Sequence, residues 1–353
     1  MHQRDAAILL PLFVVVCQGC VTPPPARSDA LAKPAHYRPR AMECLKRGLQ
    51  YKYNPAVRVQ SVEALQSAAP QEALPWLRAA VRDEHPSVRF ASCVAVGLLQ
   101  DQVASQAVVA CLHDPDPSVR LAAVFACHRL GDTGHTGELA DQLLTNEDPL
   151  IRRNAALLLG LLDEQGAVKV LAKAMKDADA GVQNHALEAM AVLGVEEASQ
   201  QLCFLANSGI GSQEVFAVNA LARTGDARFL DTYRLKLDGA VHLETRLAAA
   251  RALGLLGHGD GFELALRSLR SGRHGRVDPE DSPEAKRLRI TTLAASALGA
   301  IGDPAALQAL SDLIEDNDDP RVQVSAAKAI IEIVGRQSVW PEPPAANNPT
   351  GRR

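Results

Sequence analysis

The feature that most constrains this chain is a repeat. Residues 113–132, HDPDPSVRLAAVFACHRLGD, run from acids and prolines into a small-residue helix that stops at Gly-Asp. With Val119 as position zero, small or apolar residues fall at Ala123, Ala126, Cys127 and Leu130, offsets of 4, 7, 8 and 11, which is one helical face. The same template lands on Val57, Val88, Val119, Ile151, Val182, Gln213, Thr245, Ile290 and Val322, at intervals of 31, 31, 32, 31, 31, 32, 45 and 32 residues. Offset 12 is often glycine, as at Gly131, Gly194, Gly225, Gly257 and Gly302, where a positive φ can stop the helix. Before each framed helix lies another amphipathic run, such as PWLRAAV at 75–81 or DPAALQALSDLIED at 303–316, so each unit is helix, turn, helix. One such pair cannot hide its own apolar face. Neighbours must therefore stack, and the fold class predicted is an all-α solenoid of about nine units over residues 40–335.

Composition agrees with that class. The chain has 353 residues, 47 % of them apolar, yet aromatics make up only 4 %, a balance suited to close-packed short helices rather than a sheet-based core. A net charge of -4 and a pI near 6.2 give no overall field for a polyphosphate partner, which weighs against nucleic acid.

The stretches DPDPSVRLAAVFACHRLGD and GDPAALQALSDLIEDNDDPRVQVSAAKAIIEIVG resemble HEAT repeats, specifically the short HEAT-like subgroup found in bilin lyases and bacterial scaffolds. The usual HEAT period is longer, ~40–47 residues. The resemblance implies an armadillo-type superhelix whose second helices line a concave face. It is specific for fold and says little about function, because such solenoids serve many purposes.

Within the repeat, Pro117 starts the second helix, where its missing N–H costs nothing, and Asp114 and Asp116 complement the N-terminal dipole. Arg120 recurs as Arg58, Arg89, Arg152 and Arg246. One reading is a basic ladder for an anion. The other, which the HEAT resemblance implies, is a structural ladder in which each Arg hydrogen-bonds an Asp of a neighbouring turn. Acids precede nearly every one of these positions and would neutralise a binding ladder, which favours the structural reading.

Two features are candidate binding surfaces. Opposite the core face lie offsets 2, 6 and 9, which in units two to four supply Phe90, Val94, Leu121, Phe125, His128, Arg153 and Leu157. Apolar residues on an outward face suggest a groove for a partner's peptide or helix, against the plainer reading of packing between repeats or contact with a tether. Later units turn polar there, with Asn184, Glu188, Asn219, Arg251, Ser296 and Lys328. The second feature is the interval of 45, whose excess maps to SGRHGRVDPEDSPEA, residues 271–285, between the two helices of unit eight. Arg273, His274 and Arg276 followed by Asp278, Glu280 and Asp281 read as a solvated loop closed on its own opposite charges, or as a contact edge of the array.

Nothing in the sequence predicts catalysis, a cofactor or a metal. Cys44, Cys93, Cys111, Cys127 and Cys203 form no CxxC pair and sit in small-residue runs, as small hydrophobes do. Cys111 and His113 end one helix, whereas Cys127 and His128 lie 8 and 9 residues into the next, roughly 12 Å along it, so one ion cannot take all four. HEAT-like deoxyhypusine hydroxylases hold iron with His-Glu dipeptides, and this chain has none. HExxH, GxSxG and P-loop patterns are also missing from the sequence.

The first twenty residues read differently. Arg4 precedes an uncharged run from Ala6 to Val16, then CQGCVTPPP. That is signal-peptide anatomy, and the run is short of the ~20 residues a spanning helix needs. Gly19-Cys20 resembles the lipobox of bacterial lipoproteins, although Cys17 stands where that family prefers an aliphatic residue. The resemblance implies that Cys20 carries lipid and, with Val21 next, delivery to the outer membrane; an ordinary secreted or periplasmic protein is the alternative. The organisation predicted is a signal peptide over 1–19, a Pro-rich tether over 20–39, the solenoid over 40–335 and a disordered Pro-rich tail over 336–353. The functional expectation is a non-catalytic, lipid-anchored, monomeric scaffold that faces the periplasm and holds protein partners on its concave face. The alternatives are a bilin-lyase-like protein sheltering a cofactor, and nucleic-acid binding, for which a basic concave stripe is missing.

Overall fold

The computed structural model describes residues 34–271 and 282–338. Among them, eighteen α-helices follow one another as nine hairpins. In chain order the pairs are α1 (Arg38–Leu49) with α2 (Pro55–Ala68), α3 (Pro70–Ala80) with α4 (Pro86–Leu99), and α5 (Ser105–Cys111) with α6 (Pro117–Arg129). Next come α7 (Gly137–Thr145) with α8 (Pro149–Leu162), α9 (Val168–Ala174) with α10 (Ala180–Val192), and α11 (Glu196–Ala206) with α12 (Gly211–Arg223). The last three are α13 (Leu230–Gly239) with α14 (Leu243–Leu255), α15 (Phe262–Ser271) with α16 (Pro283–Ile301), and α17 (Leu307–Asp316) with α18 (Pro320–Ser338). The framed helices of the sequence are the even-numbered ones, and the all-helical solenoid is present. The signal-peptide and tether residues up to 33, Cys20 among them, the loop residues Arg273, His274 and Arg276, and the tail from 339 lie outside the described residues.

Local chemistry starts and stops these helices. Proline occupies the first turn of α2, α4, α6, α8, α16 and α18, where no intrahelical N–H bond is lost. Asn54, Asp116, Asp148 and Asp179 cap α2, α6, α8 and α10 by accepting from backbone N–H groups at 2.8–3.2 Å. At the other end Gly131 and Gly302 take φ of 104° and 81°, which any Cβ would strain. Part of the extra sequence in unit eight is absorbed as helix, since α16 runs 19 residues where α14 runs 13.

Even-numbered helices pack side by side along the whole chain, whereas odd-numbered helices pack chiefly on even-numbered ones and little on one another. In a curved two-layer array the more tightly spaced layer has the smaller radius, so the even helices form the inner layer. Small residues let them approach. A Cβ on Gly97 would sit 2.9 Å from the Cα of Ala126, and one on Gly254 would sit 2.6 Å from the backbone nitrogen of Ile301.

The array closes on itself. Helix α18 packs against both α1 and α2, so unit nine is followed in space by unit one. The seam is apolar at Leu45 and Val324, both buried. It is bridged by Tyr37 Oη donating to Gln308 Oε1 at 2.9 Å, by Gln60 Nε2 donating to Ser325 Oγ at 2.7 Å, and by an ion pair of Arg40 with Glu315. Ring closure leaves neither terminal hairpin with an unpaired inner helix.

Closure also traps a carboxyl group. Glu63 on α2 is buried at the seam with Oε1 unpartnered. Burial pushes this carboxyl up to about 8, against the pull of Lys328 on α18. At the far side of the ring the Arg153 guanidinium holds Asp179 down to about 2. The two act oppositely on stability. The folded chain keeps a proton on Glu63 that the unfolded chain releases, so this contribution is whole below the ordinary carboxylate value of 4.5 and is lost as pH climbs to about 8. Asp179 stabilises above its ordinary value of 3.8, and that contribution is lost as pH falls toward 2. Thermal melts from pH 3 to 9 are expected to peak near about pH 4–5 and then decline, with a slope from one proton of at most about 1.4 kcal/mol per pH unit. Glu63→Gln is expected to flatten the alkaline limb and to exceed the parent melting temperature at pH 8; an unchanged limb would place the proton elsewhere.

Candidate functional site

The residues expected to line an open groove lie instead in the packed interior. Phe90, Val94, Leu121 and Leu157 are buried, and Phe125 is 0 % exposed. Two causes combine: closure shrinks the inner radius, and Gly97 admits the Phe125 ring, whose Cε1 would lie 2.9 Å from a Cβ there. Side chains buried this deeply offer little surface to another molecule, which agrees with the plainer reading of packing between repeats.

The two polar members are also engaged. His128 Nδ1 lies 2.7 Å from Thr136 Oγ1 and its Nε2 lies 2.8 Å from Glu164 Oε1, so both ring nitrogens are taken. Arg153 makes a two-pronged pair with Asp179, the cap of α10, at 2.6 and 2.5 Å.

The arginine series divides by what lies 25 residues further on. Arg58 meets Asp83 at 2.9 Å, Arg89 grips Asp114 at 2.8 and 2.7 Å, and Arg152 grips Asp177 at 2.8 Å through both nitrogens. Arg120 has Thr145 at that distance in sequence and donates instead to the carbonyls of Asp114 and Pro115. Arg246 donates to Leu237 O at 2.8 Å.

The cysteines Cys44, Cys93, Cys111 and Cys127 are buried free thiols, and Cys203 is half-buried. The thiol of Cys93 is raised by its contact with Cys111 and by burial, and burial raises that of Cys127. Among the described residues no group of three or more His, Cys, Asp or Glu side chains could hold a metal ion.

What the repeat pattern did not bring together is a charged cluster on the inner face of the last five units. Arg223 of α12 pairs with Glu188 of α10 at 3.0 Å, and both side chains are almost wholly buried. Burial alone would raise Glu188, but Arg223 and His185 hold it below the ordinary carboxylate value. Arg251 of α14 donates to Asn219 Oδ1 of α12 at 3.3 Å. Lys328 and Glu332 of α18 approach to 3.6 Å, and Arg336 Nη1 reaches back across α16 to Gly254 O at 3.4 Å. Glu188, Asn219, Arg251 and Lys328 share offset 6, so their common face was readable. Arg223 and Glu332 stand at offset 10, which a one-helix projection assigns to the flank and the ring turns inward.

Free apolar surface lies on the outer layer. Phe204 of α11 and Leu235 of α13 are exposed, as are Ile210 and Val241 in the turns that follow those helices, Phe204 and Val241 each at 76 %. Each pair is separated by 31 residues, one repeat, so the four form two matching rows on consecutive hairpins. No helix among the described residues is long and apolar enough to cross a membrane.

The family model for HEAT repeats matches residues 42–128 and 136–210, and that for the PBS lyase HEAT-like repeat matches residues 293–316. No curated protein matches the chain. Among solved structures, it is similar to the complex of CpcE and CpcF of phycocyanin lyase from a Nostoc species, at 19 % identity and a TM-score of 0.41, over 79 % of this chain and 100 % of that one. It is also similar to human deoxyhypusine hydroxylase in complex with glycerol, at 17 % identity and a TM-score of 0.36, over 85 % and 98 %. The period, the stacked hairpins and the family matches together make this chain a HEAT-repeat protein with a PBS-lyase HEAT-like repeat.

Proposed function

We propose that this chain is a non-catalytic scaffold of the cell envelope, lipid-anchored through Cys20 and facing the periplasm, that binds a partner protein on the outer rim of its ring. The observation that carries the reading is the pair of apolar rows, Phe204 with Leu235 and Ile210 with Val241, left uncovered one repeat apart. An amphipathic helix presents one apolar stripe along its length, the kind of surface that two uncovered apolar rows on consecutive hairpins can receive. The partner is therefore an envelope protein that presents such a helix. The short uncharged run ending in Gly19-Cys20 supports the address.

Two measurements test this reading. In a bacterial host, the mature chain is expected to fractionate with membranes and to carry an acylated N-terminus at Cys20 by intact mass, with both lost in Cys20→Ser. A soluble, uncleaved parent chain would remove the envelope from the proposal. For the surface, a crosslinker placed at position 204 or 235 is expected to recover a protein whose contact peptide is an amphipathic helix. Phe204→Ser with Leu235→Ser is expected to abolish recovery while shifting the melting temperature little, since both side chains already face water. Phe125→Ala, by contrast, is expected to cost about 3–5 kcal/mol of stability through its cavity. Undiminished recovery by the double variant would overturn the rim as the docking surface.

A further inference from the structure

The inner charged cluster is short of negative charge at one point. Arg223 already has Glu188, at 3.0 Å. Glu332 is left to serve three cations: Lys328 at 3.6 Å, and Arg251 and Arg336 through longer-range attraction. Among the described residues Arg251 makes no ion pair, and its side chain donates to the neutral Asn219 Oδ1 at 3.3 Å. Its nearest charged neighbour on α12 is Arg223, which repels it, and the Nε of Arg223 is buried with no partner of its own. Burial lowers the Arg251 guanidinium from its ordinary value, and the pull of Glu332, shared with Lys328 and Arg336, only partly offsets it.

On the inner face of α16, between α14 and α18, stand Ser296 and Gly299, and the Glu332 carboxylate lies over Gly299. Arg251, Asn219, Ser296, Lys328 and Glu332 each keep partial exposure, so water reaches this half of the inner face while the half around Phe125 is closed.

We infer that Arg251, with Arg223 and Asn219 beside it, forms a binding site for a small oxyanion, a carboxylate or a phosphate, inside the ring. A guanidinium presents two parallel N–H groups that match two oxygens of such a group, and Asn219 and the unpartnered Nε of Arg223 supply further donors. The anion supplies negative charge beside Arg251, which makes no ion pair among the described residues, and it ties together two neighbouring helices of the inner wall, α12 and α14.

The test uses the full chain at constant ionic strength, with chloride replaced stepwise by inorganic phosphate in one series and by acetate in another. The parent melting temperature is expected to climb with the logarithm of at least one anion once its dissociation constant is passed, as linkage requires. A climb in phosphate alone assigns the site to phosphoryl groups, and one in acetate alone assigns it to carboxylates. Arg251→Met is expected to lose the climb and yet, in chloride, to melt no lower than the parent, because it removes an uncompensated cation. Arg251→Lys, which keeps the charge but not the fork, is expected to weaken binding by tenfold or more. Should Arg251→Met fail to fold, Asn219→Ala is expected to show a reduced climb by itself. A flat response in the parent chain, or equal climbs in the parent and Arg251→Met, overturns the site.

Discussion

The packing of α18 against α1 and α2 is the contact on which the rest of this molecule depends. Every hairpin in a stacked helical array buries its flanks on its two neighbours, and an open array leaves two hairpins with one flank each exposed to water. Here the last hairpin supplies the neighbour that the first one lacks. Val324 and Leu45 are buried by that junction, and hydrogen bonds from Tyr37 and Gln60 close its edges. The same closure sets the inner radius, and the inner radius decides what becomes of every side chain that points to the centre.

Two halves of the inner wall answer that constraint differently. Around α4, α6 and α8 most inward residues are apolar, and Phe90, Leu121 and Phe125 are buried there, with His128 and Arg153 each tied to a carboxylate. Around α10 to α18 and back to α2 they are charged, and desolvation then dominates their chemistry. Glu63 keeps its proton, Glu188 keeps its charge only because Arg223 and His185 stand beside it, and Arg251 is drawn below the ordinary arginine value. The arginine ladder is equally shielded but fully paired: Arg89 with Asp114 and Arg152 with Asp177 each meet through two nitrogens, which fixes the turn of one hairpin against the next.

Much of this was legible before any coordinates. Offsets 4, 7, 8 and 11 from each zero position mark the core because a helix turns through 100° per residue wherever it stands. Pro117, Asp116 and Gly131 mark where α6 begins and ends for equally local reasons: a missing N–H, a side-chain acceptor and a tolerated positive φ. The paired Asp of the ladder is local too, lying 25 residues beyond its Arg, and Arg120 departs from the rule where Thr145 replaces the acid. Phe90 and Phe125 could be read either as groove or as packing between repeats, because offsets 2 and 6 point away from the outer helices and one helix alone cannot reveal what it faces on that side.

The sequence by itself determined the class of fold, the number of hairpins and their polarity, since each of these follows from periodicities within some 31 residues. Only the tertiary structure decided that the array is a ring. The angle between successive hairpins is the sum of many small contacts, among them Gly97 on Ala126 and Gly254 on Ile301, and it accumulates over eight steps before α18 either meets α2 or misses it. No local pattern encodes that sum. The inner cluster of Arg223, Arg251 and Glu332 comes from ordinary stacking of consecutive hairpins, whereas Lys328 of α18 acts on Glu63 of α2 only because the circle is complete.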